Sequence, residues 1–504
     1  MSPIASPSDT DALPVPKRRT PRRFTQVQRL GGWLRRMAFL VHRWLGIALA
    51  LLMAVWTLSG IVMMYVSYPE TTAAERAAGL DALDLSQCCA AAGLPEGPLE
   101  RVSVEMLLGQ PVLRVMTEAG PVTLGLRDGA PLAVGENEAR QVAATHYRNT
   151  TGHDAAVAIE PVDVDQWTLQ LRRYAPLYKA SMGDAAGSEL YVSGLTGEIV
   201  QDTTRRERFW NWLGAVPHWL YFTALRKDGA LWSEVVIYAS QLGTCLTLTG
   251  IYIGLRMFRR GPRWTPLRGI AMWHHWTGLV FGLVTLTWVF SGFASMQPWG
   301  WLEGEGAGQE IEAMAGRAIE PRDVVDFAAA LAAHPQSGVV SAELAMQQGR
   351  PWAIVAGRDG ARIRASLPNL ADAAPDDAGL AALSRAARPG AEPVSQGLIT
   401  EGDAYHYSHH STPAVLPAWR AIWADAGAPR LYLDPRTGEP VGFVDAGSRG
   451  FRWWHSALHR LDFAPLRDRP LWDAVMLALL AGVAVLSLLG VWMGIRRLRR
   501  NERV

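Results

Sequence analysis

The last polar stretch of the chain carries two histidines at helical spacing. In Arg452-Trp-Trp-His-Ser-Ala-Leu-His-Arg460, His455 and His459 stand four apart, so on a helix they share a face. Imidazole titrates near neutral pH and is the commonest metal ligand, so the spacing alone admits a metal site. An earlier stretch, Phe209-Trp-Asn-Trp-Leu-Gly-Ala-Val-Pro-His218, reads as a weaker copy of it. If the chain is two copies of one unit, its histidines come in pairs related by symmetry.

Other segments repeat in the same order. His42-Arg-Trp-Leu-Gly46 is matched by His274-His-Trp-Thr-Gly278, and Thr57-Leu-Ser-Gly60 by Val289-Phe-Ser-Gly292, both at an offset of 232 residues. Leu190-Tyr-Val-Ser-Gly-Leu-Thr-Gly-Glu-Ile-Val200 is matched by Leu431-Tyr-Leu-Asp-Pro-Arg-Thr-Gly-Glu-Pro-Val441, a strand followed by a tight turn. His218-Trp-Leu-Tyr-Phe222 is matched by His459-Arg-Leu-Asp-Phe463, and Gly250-Ile-Tyr-Ile-Gly-Leu-Arg256 by Gly490-Val-Trp-Met-Gly-Ile-Arg496. The repeat pairs His42 with His274 and His218 with His459.

A pseudo-two-fold axis through a bundle lets each pair face inward from opposite sides. That is what a flat haem between helices requires, one neutral imidazole on each face of the iron. Two pairs at opposite ends imply two haems. The three cysteines form no Cys-x-x-Cys-His attachment motif, so the haems are expected to be non-covalent, b-type. His42, His218, His274 and His459 are the expected iron ligands. His275 aligns with Arg43 and stands as the alternative to His274. Arg43 and Arg460, beside the ligands, are candidate partners for haem propionates. His455 aligns with Leu213 and has no symmetry mate. Three roles are open to it: support of a ligand, an extra ligand, or an electron-exit residue. With His459 it is the candidate catalytic group. A lone histidine at a helix end is usually an interfacial side chain, and the duplication of both pairs is what favours ligands here.

The elements that must position these residues follow from hydropathy. Four uncharged stretches, Gly46–Val66, Val235–Leu255, Trp276–Gln297 and Ala474–Ile495, are long enough to span a bilayer. Arginines crowd the segment before the first, the loop between the second and third, and the C-terminus. The positive-inside rule then puts both termini and that loop in the cytoplasm and both long polar regions outside. The expected fold is an α-helical membrane bundle of four transmembrane helices with two outer α+β domains, in a parallel internal repeat. Its boundaries are a disordered tail over 1–32 and spans over 33–68, 231–258, 273–298 and 469–496. Outer domains occupy 69–206 and 299–448, interfacial helices 207–230 and 449–468, a cytoplasmic loop 259–272 and a tail 497–504.

Within the outer domains, segments from Pro111 and Pro121 predict a hairpin, Glu138–Arg148 a helix, and Trp167–Leu171, Pro176–Ala180 and Glu189–Val192 strands. In the second half, Trp352–Val355 and Arg362–Ser366 predict strands, and Ala378–Ala387 and Glu303–His334 helices. Tyr405-His-Tyr-Ser-His-His410 reads as an edge strand or as a metal or ferric-ligand contact surface. His146, His153 and His334 read as surface residues, and Cys88 and Cys89 as incidental. No Walker loop, dinucleotide motif, nucleophile motif or His-Glu-x-x-His occurs. Electrons must therefore come from another protein or from quinol. Membrane lipid, and not nucleic acid, is the expected macromolecular surroundings.

These motifs, in this order, resemble the PepSY-associated transmembrane family of iron-regulated bacterial membrane proteins. Pro217-His-Trp-Leu-Tyr-Phe222 and His274-His-Trp-Thr-Gly278 are similar to its inner-membrane siderophore-reductase branch. The resemblance runs from about residue 33 to the end. It implies periplasmic PepSY-like domains, non-covalent haem held by His42, His218, His274 or His275, and His459, and reduction of a ferric siderophore with release of Fe(II). Ser193 and Gly194 stand where the second half has Asp434 and Pro435, which leaves open whether both outer domains meet substrate.

Overall fold

A computed structural model describes residues 26–86, 88–89, 93–259, 264–410, 412–425 and 427–501. Most of the expected N-terminal tail therefore lies outside the described residues. Four helices are long and apolar enough to cross a membrane: Gln26–Met63, Gly229–Met257, Ile270–Ser295 and Leu471–Asn501. The first begins before residue 33, running through Gly31 and Gly32, and the last runs past 496. The first span packs against the second and fourth, and the third packs against the same two. The first and third thus lie diagonally across the bundle. Between the third and fourth, the Phe281 ring occupies the space that a Cβ on Gly482 would fill.

Both polar regions emerge at the same end of the bundle, and each follows one plan. In the first half, β1 (Arg101–Leu107), β2 (Gln110–Thr117) and β3 (Gly120–Gly125) form an antiparallel meander. A helix (Glu136–Thr151) leads to a second meander: β4 (Ala158–Val162), β5 (Leu177–Ser181), β6 (Glu189–Ser193) and β7 (Ile199–Thr203). The second half repeats this with β8 (Val339–Gln347), β9 (Arg350–Gly357), β10 (Arg362–Ser366), the helix Asp377–Ala387, and β11 (Ser395–Ile399), β12 (Ala418–Ile422), β13 (Arg430–Leu433) and β14 (Pro440–Val444). Bulges fall at equivalent places, Tyr191/Val192 and Tyr432/Leu433.

The outer domains are not separate. β1 pairs with β8 antiparallel, with Val102 opposite Leu344 and Val104 opposite Ala342, so the two first meanders form one six-stranded sheet. Since Val102 and Ala342 are equivalent in the repeat, as are Val104 and Leu344, the pairing is self-complementary, as at a two-fold interface. Its shared core includes Val102, Val104, Leu113, Phe327, Leu344 and Val355.

Several local expectations are corrected. Trp167–Leu171 is a turn, because the Asp165 carboxylate accepts hydrogen bonds from the Trp167 and Thr168 backbone and from the Thr168 hydroxyl. The Tyr405–His410 segment is irregular for the same reason: Asp403 accepts from the Tyr405 and His406 backbone N–H groups. Strands β1, β4, β7, β8, β11, β12 and β14 were not foreseen. Glu303–His334 is two helices, Gly308–Ala315 and Pro321–Ala333, parted at Gly316, whose φ of 75° is left-handed. The Cys88 and Cys89 sulfurs are in contact. His146 is buried, packed beside Gly79 near a charged cluster in which Arg76 and Arg114 share Glu105 and Glu198.

Burial alone raises the Glu198 carboxyl, but Arg114 and Arg76 outweigh it and hold it at about 2. The unfolded chain therefore takes up a proton there first, near the ordinary glutamate value of about 4.3. This stabilisation is complete above that pH and is lost as pH falls toward 2, a contribution of up to about 3 kcal/mol. Thermal unfolding of the detergent-solubilised protein should show a midpoint that falls between pH 5 and pH 2.5. The Glu198→Gln variant should be less stable at pH 7 and show a flatter fall over that interval. An equally steep fall in the variant would disprove the assignment.

Candidate functional site

Each interfacial segment begins with a capped helix and ends at a histidine. Thr204 and Asp445, equivalent in the repeat, each close a capping box, with Glu207 and Ser448 respectively. In place of single interfacial helices, the first half has Arg205–Leu213, Ala215–Trp219 and Thr223–Arg226. The second has Ala446–Phe451, a π-helix over Arg452–Ala457, and Leu458–Arg460. Both halves then turn sharply two residues past the histidine, at Leu220 and Leu461, whose φ values of 54° and 50° lie in the left-handed region. Leucine adopts that conformation at a cost, and it persists only where the surroundings impose it.

Counting without a gap from the caps to the histidines, His455 falls opposite Gly214 and not opposite Leu213. Gly214, with φ −105° and ψ −102°, breaks the helix in the first half. The second half keeps a continuous, widened turn there.

The turns press His218 onto the first span and His459 onto the third. His218 Nδ1 lies 3.0 Å from the Trp56 carbonyl and 3.1 Å from the Ser59 hydroxyl. His459 Nδ1 lies 3.2 Å from the Trp288 carbonyl and 2.9 Å from the Ser291 hydroxyl. Trp56 and Trp288, and Ser59 and Ser291, are separated by the same 232 residues as the spans themselves. The two imidazoles face each other with centroids 6.0 Å apart and planes at 76°. At the other end, His42 and His274 stand on the diagonal spans with centroids 6.3 Å apart and planes at 44°. His42 Nδ1 lies 3.0 Å from the Leu246 carbonyl. The equivalent carbonyl, Leu486, lies toward His274 Nδ1 but outside hydrogen-bond geometry, leaving that nitrogen buried without a partner. From His42 to Trp56 is about 21 Å along the helix axis, the approximate distance between the two pairs.

Nδ1–H donation to a carbonyl fixes the tautomer and leaves Nε2 as a free lone pair. Burial pushes the His218 and His455 imidazoles down to about 4. Burial, with His455, His218 and Arg460 adding to it, holds His459 well below the usual range. These rings are therefore neutral at pH 7, the form a metal requires. A metal–imidazole bond of about 2 Å, with the ring centre roughly 1 Å further, puts two rings on opposite faces of one ion about 6 Å apart between centres. Both pairs meet that spacing. The donor set fits bis-histidine haem.

Other expected site residues are placed differently. His275 turns away from His42, and its Nε2–H donates to the Gly254 carbonyl at 2.9 Å, tying the third span to the second. Arg43 is exposed and lies 5.3 Å over the Trp44 ring. Arg460 is exposed, and among the described residues its side chain makes no ion pair. His455 stacks on His459, with ring centroids 5.1 Å apart. In the Tyr405 cluster, His406 bonds the Val415 carbonyl and stacks on Tyr432, while His410 bonds the Arg467 carbonyl and packs at a tilt of 47° against Trp472. No group of three or more metal-binding side chains occurs among the described residues. The serine–histidine bonds were not foreseen, although Ser59 and Ser291 stand in the repeated Ser-Gly pairs. No protein-family model matches the chain, and no curated protein matches it.

Gly250 lets the second span pass close to His42, since a Cβ there would stand 2.7 Å from the imidazole Cε1; at Gly490 the equivalent distance to His274 is 3.7 Å. Gly250→Ala should therefore displace His42 from Leu246 and cost about 1–3 kcal/mol. Gly490→Ala should change stability little. Thermal midpoints of both variants in detergent test this, and equal effects would contradict the placement of His42.

Proposed function

We propose that this protein is a membrane haem reductase that passes electrons across the bilayer to a ferric siderophore and releases Fe(II) on the outer face. The observation that carries the reading is the pair of histidine pairs, one toward each end of the same bundle, three of their four Nδ1 atoms anchored on neighbouring backbone. His42 and His274 hold one b-type haem and His218 and His459 the other. Bound there, haem supplies a one-electron Fe(III)/Fe(II) couple. The remaining tasks belong to the chain.

The carbonyls of Trp56, Trp288 and Leu246 orient the ligands, and burial keeps His218 and His459 neutral. The apolar spans exclude water. Arg43 and Arg460, exposed and adjacent in sequence to His42 and His459, are the proposed partners of the propionates. Hydroxamate and catecholate oxygens hold Fe(III) far better than Fe(II), so one electron per iron loosens the complex. The arginine-rich ends and the resemblance to the PepSY-associated family support the bacterial inner membrane, with cytoplasmic termini and periplasmic sheet modules. The electron donor is quinol or a cytoplasmic reductase.

Protein purified after expression with ample haem should carry two b-type haems, read as a dithionite-reduced Soret and α band. His459→Ala should keep one haem and lose siderophore reduction, while His275→Leu should keep both. Haem-free wild-type protein would overturn the reading in favour of a non-enzymatic membrane protein that binds a periplasmic partner. Two haems in His459→Ala would overturn the ligand assignment.

A further inference from the structure

The two halves are unequal around the outer histidine pair. His218 and His459 make the same kinds of bonds to equivalent carbonyls and hydroxyls. Those bonds alone would set both rings alike under the pseudo-two-fold. What differs is the group behind each ring. Behind His459 stands His455, with centroids 5.1 Å apart and planes at 27°. His455 is itself held, its Nδ1 lying 3.0 Å from the Ser291 carbonyl and its ring centroid 4.9 Å from that of Phe451, with planes at 45°. It is buried, at 9% exposure. Behind His218 the equivalent residue is Gly214, which has no ring. The backbone differs at the same point, with the π-helix Arg452–Ala457 replacing the break at Gly214. π turns are rare and are found frequently at functional sites.

We propose that His455 is a positioning residue that sets the ring plane of His459, and so the crossed arrangement of the outer ligands, 76° against 44° in the inner pair. The outer site thereby has one distinguished side, that of the second half. This inference rests on the reading of the pairs as haem ligands. The angle between two axial imidazole planes governs how the iron d orbitals split. It therefore shapes the electron paramagnetic resonance (EPR) signal of the oxidised iron and is one lever on its potential.

The test is EPR of the oxidised full-length protein with its haems bound. Two low-spin ferric signals are expected, the more anisotropic one from the outer site and absent in His459→Ala. His455→Gly, which copies Gly214, should move the outer signal toward lower anisotropy and leave the inner one in place. His455→Phe, which keeps a ring to stack, should retain the wild-type outer signal. If His455→Gly loses the outer haem, retention of that haem and its signal in His455→Phe supports the same role. An unmoved outer signal in His455→Gly overturns the proposal. So does a His455→Phe variant that behaves as His455→Gly does. Wild-type protein with no haem would instead overturn the reading on which the proposal rests, so the two failures are distinguishable by the visible spectrum.

Discussion

A buried neutral imidazole has one donor and one acceptor, and the partner of the first decides the fate of the second. At His42, His218 and His459 the donor is committed to a main-chain carbonyl of a neighbouring element. Main-chain carbonyls do not titrate or rotate away, so the commitment is permanent. The free nitrogen then points where the helix geometry sends it. Everything else near the bundle serves this arrangement. Capping boxes start the interfacial helices in register, strained leucines end them, and glycine lets the second span pass close to His42.

The internal repeat supplies the pairing but not equality. Ser59 and Ser291 are true mates. His455 and Gly214 are mates by position and opposites in content. His42 has a carbonyl partner and His274 does not. The first outer module carries the buried Arg76–Glu105–Arg114–Glu198 cluster, whereas the second buries Arg364 against the Trp352 ring and the Gln347 amide. A duplicated fold has here kept its scaffold symmetric while its polar interior has diverged.

Much of this was legible in the residues. Hydropathy marked the spans because lipid-facing helices cannot hide charge. Repeated motifs in the same order marked the histidine pairs. What escaped had two physical causes. Asp165 and Asp403 override apolar alternation by bonding the backbone two and three residues ahead, and nothing in the alternation itself announces that. The joining of β1 to β8 escaped because a pairing between strands 240 residues apart in the repeat leaves no local mark. The choice of His274 over His275 depends on rotation about the helix axis, which sequence fixes only to within a residue.

The seam between β1 and β8 has a mechanical meaning. A carrier that alternately opens to either side must let its two halves part at one surface and then at the other. Here the halves are stitched by main-chain hydrogen bonds, and the strands on both sides of the seam are backed by one apolar core. Parting them at that surface would tear a sheet through its middle. The shared sheet therefore ties the two halves of the repeat together at that end of the bundle.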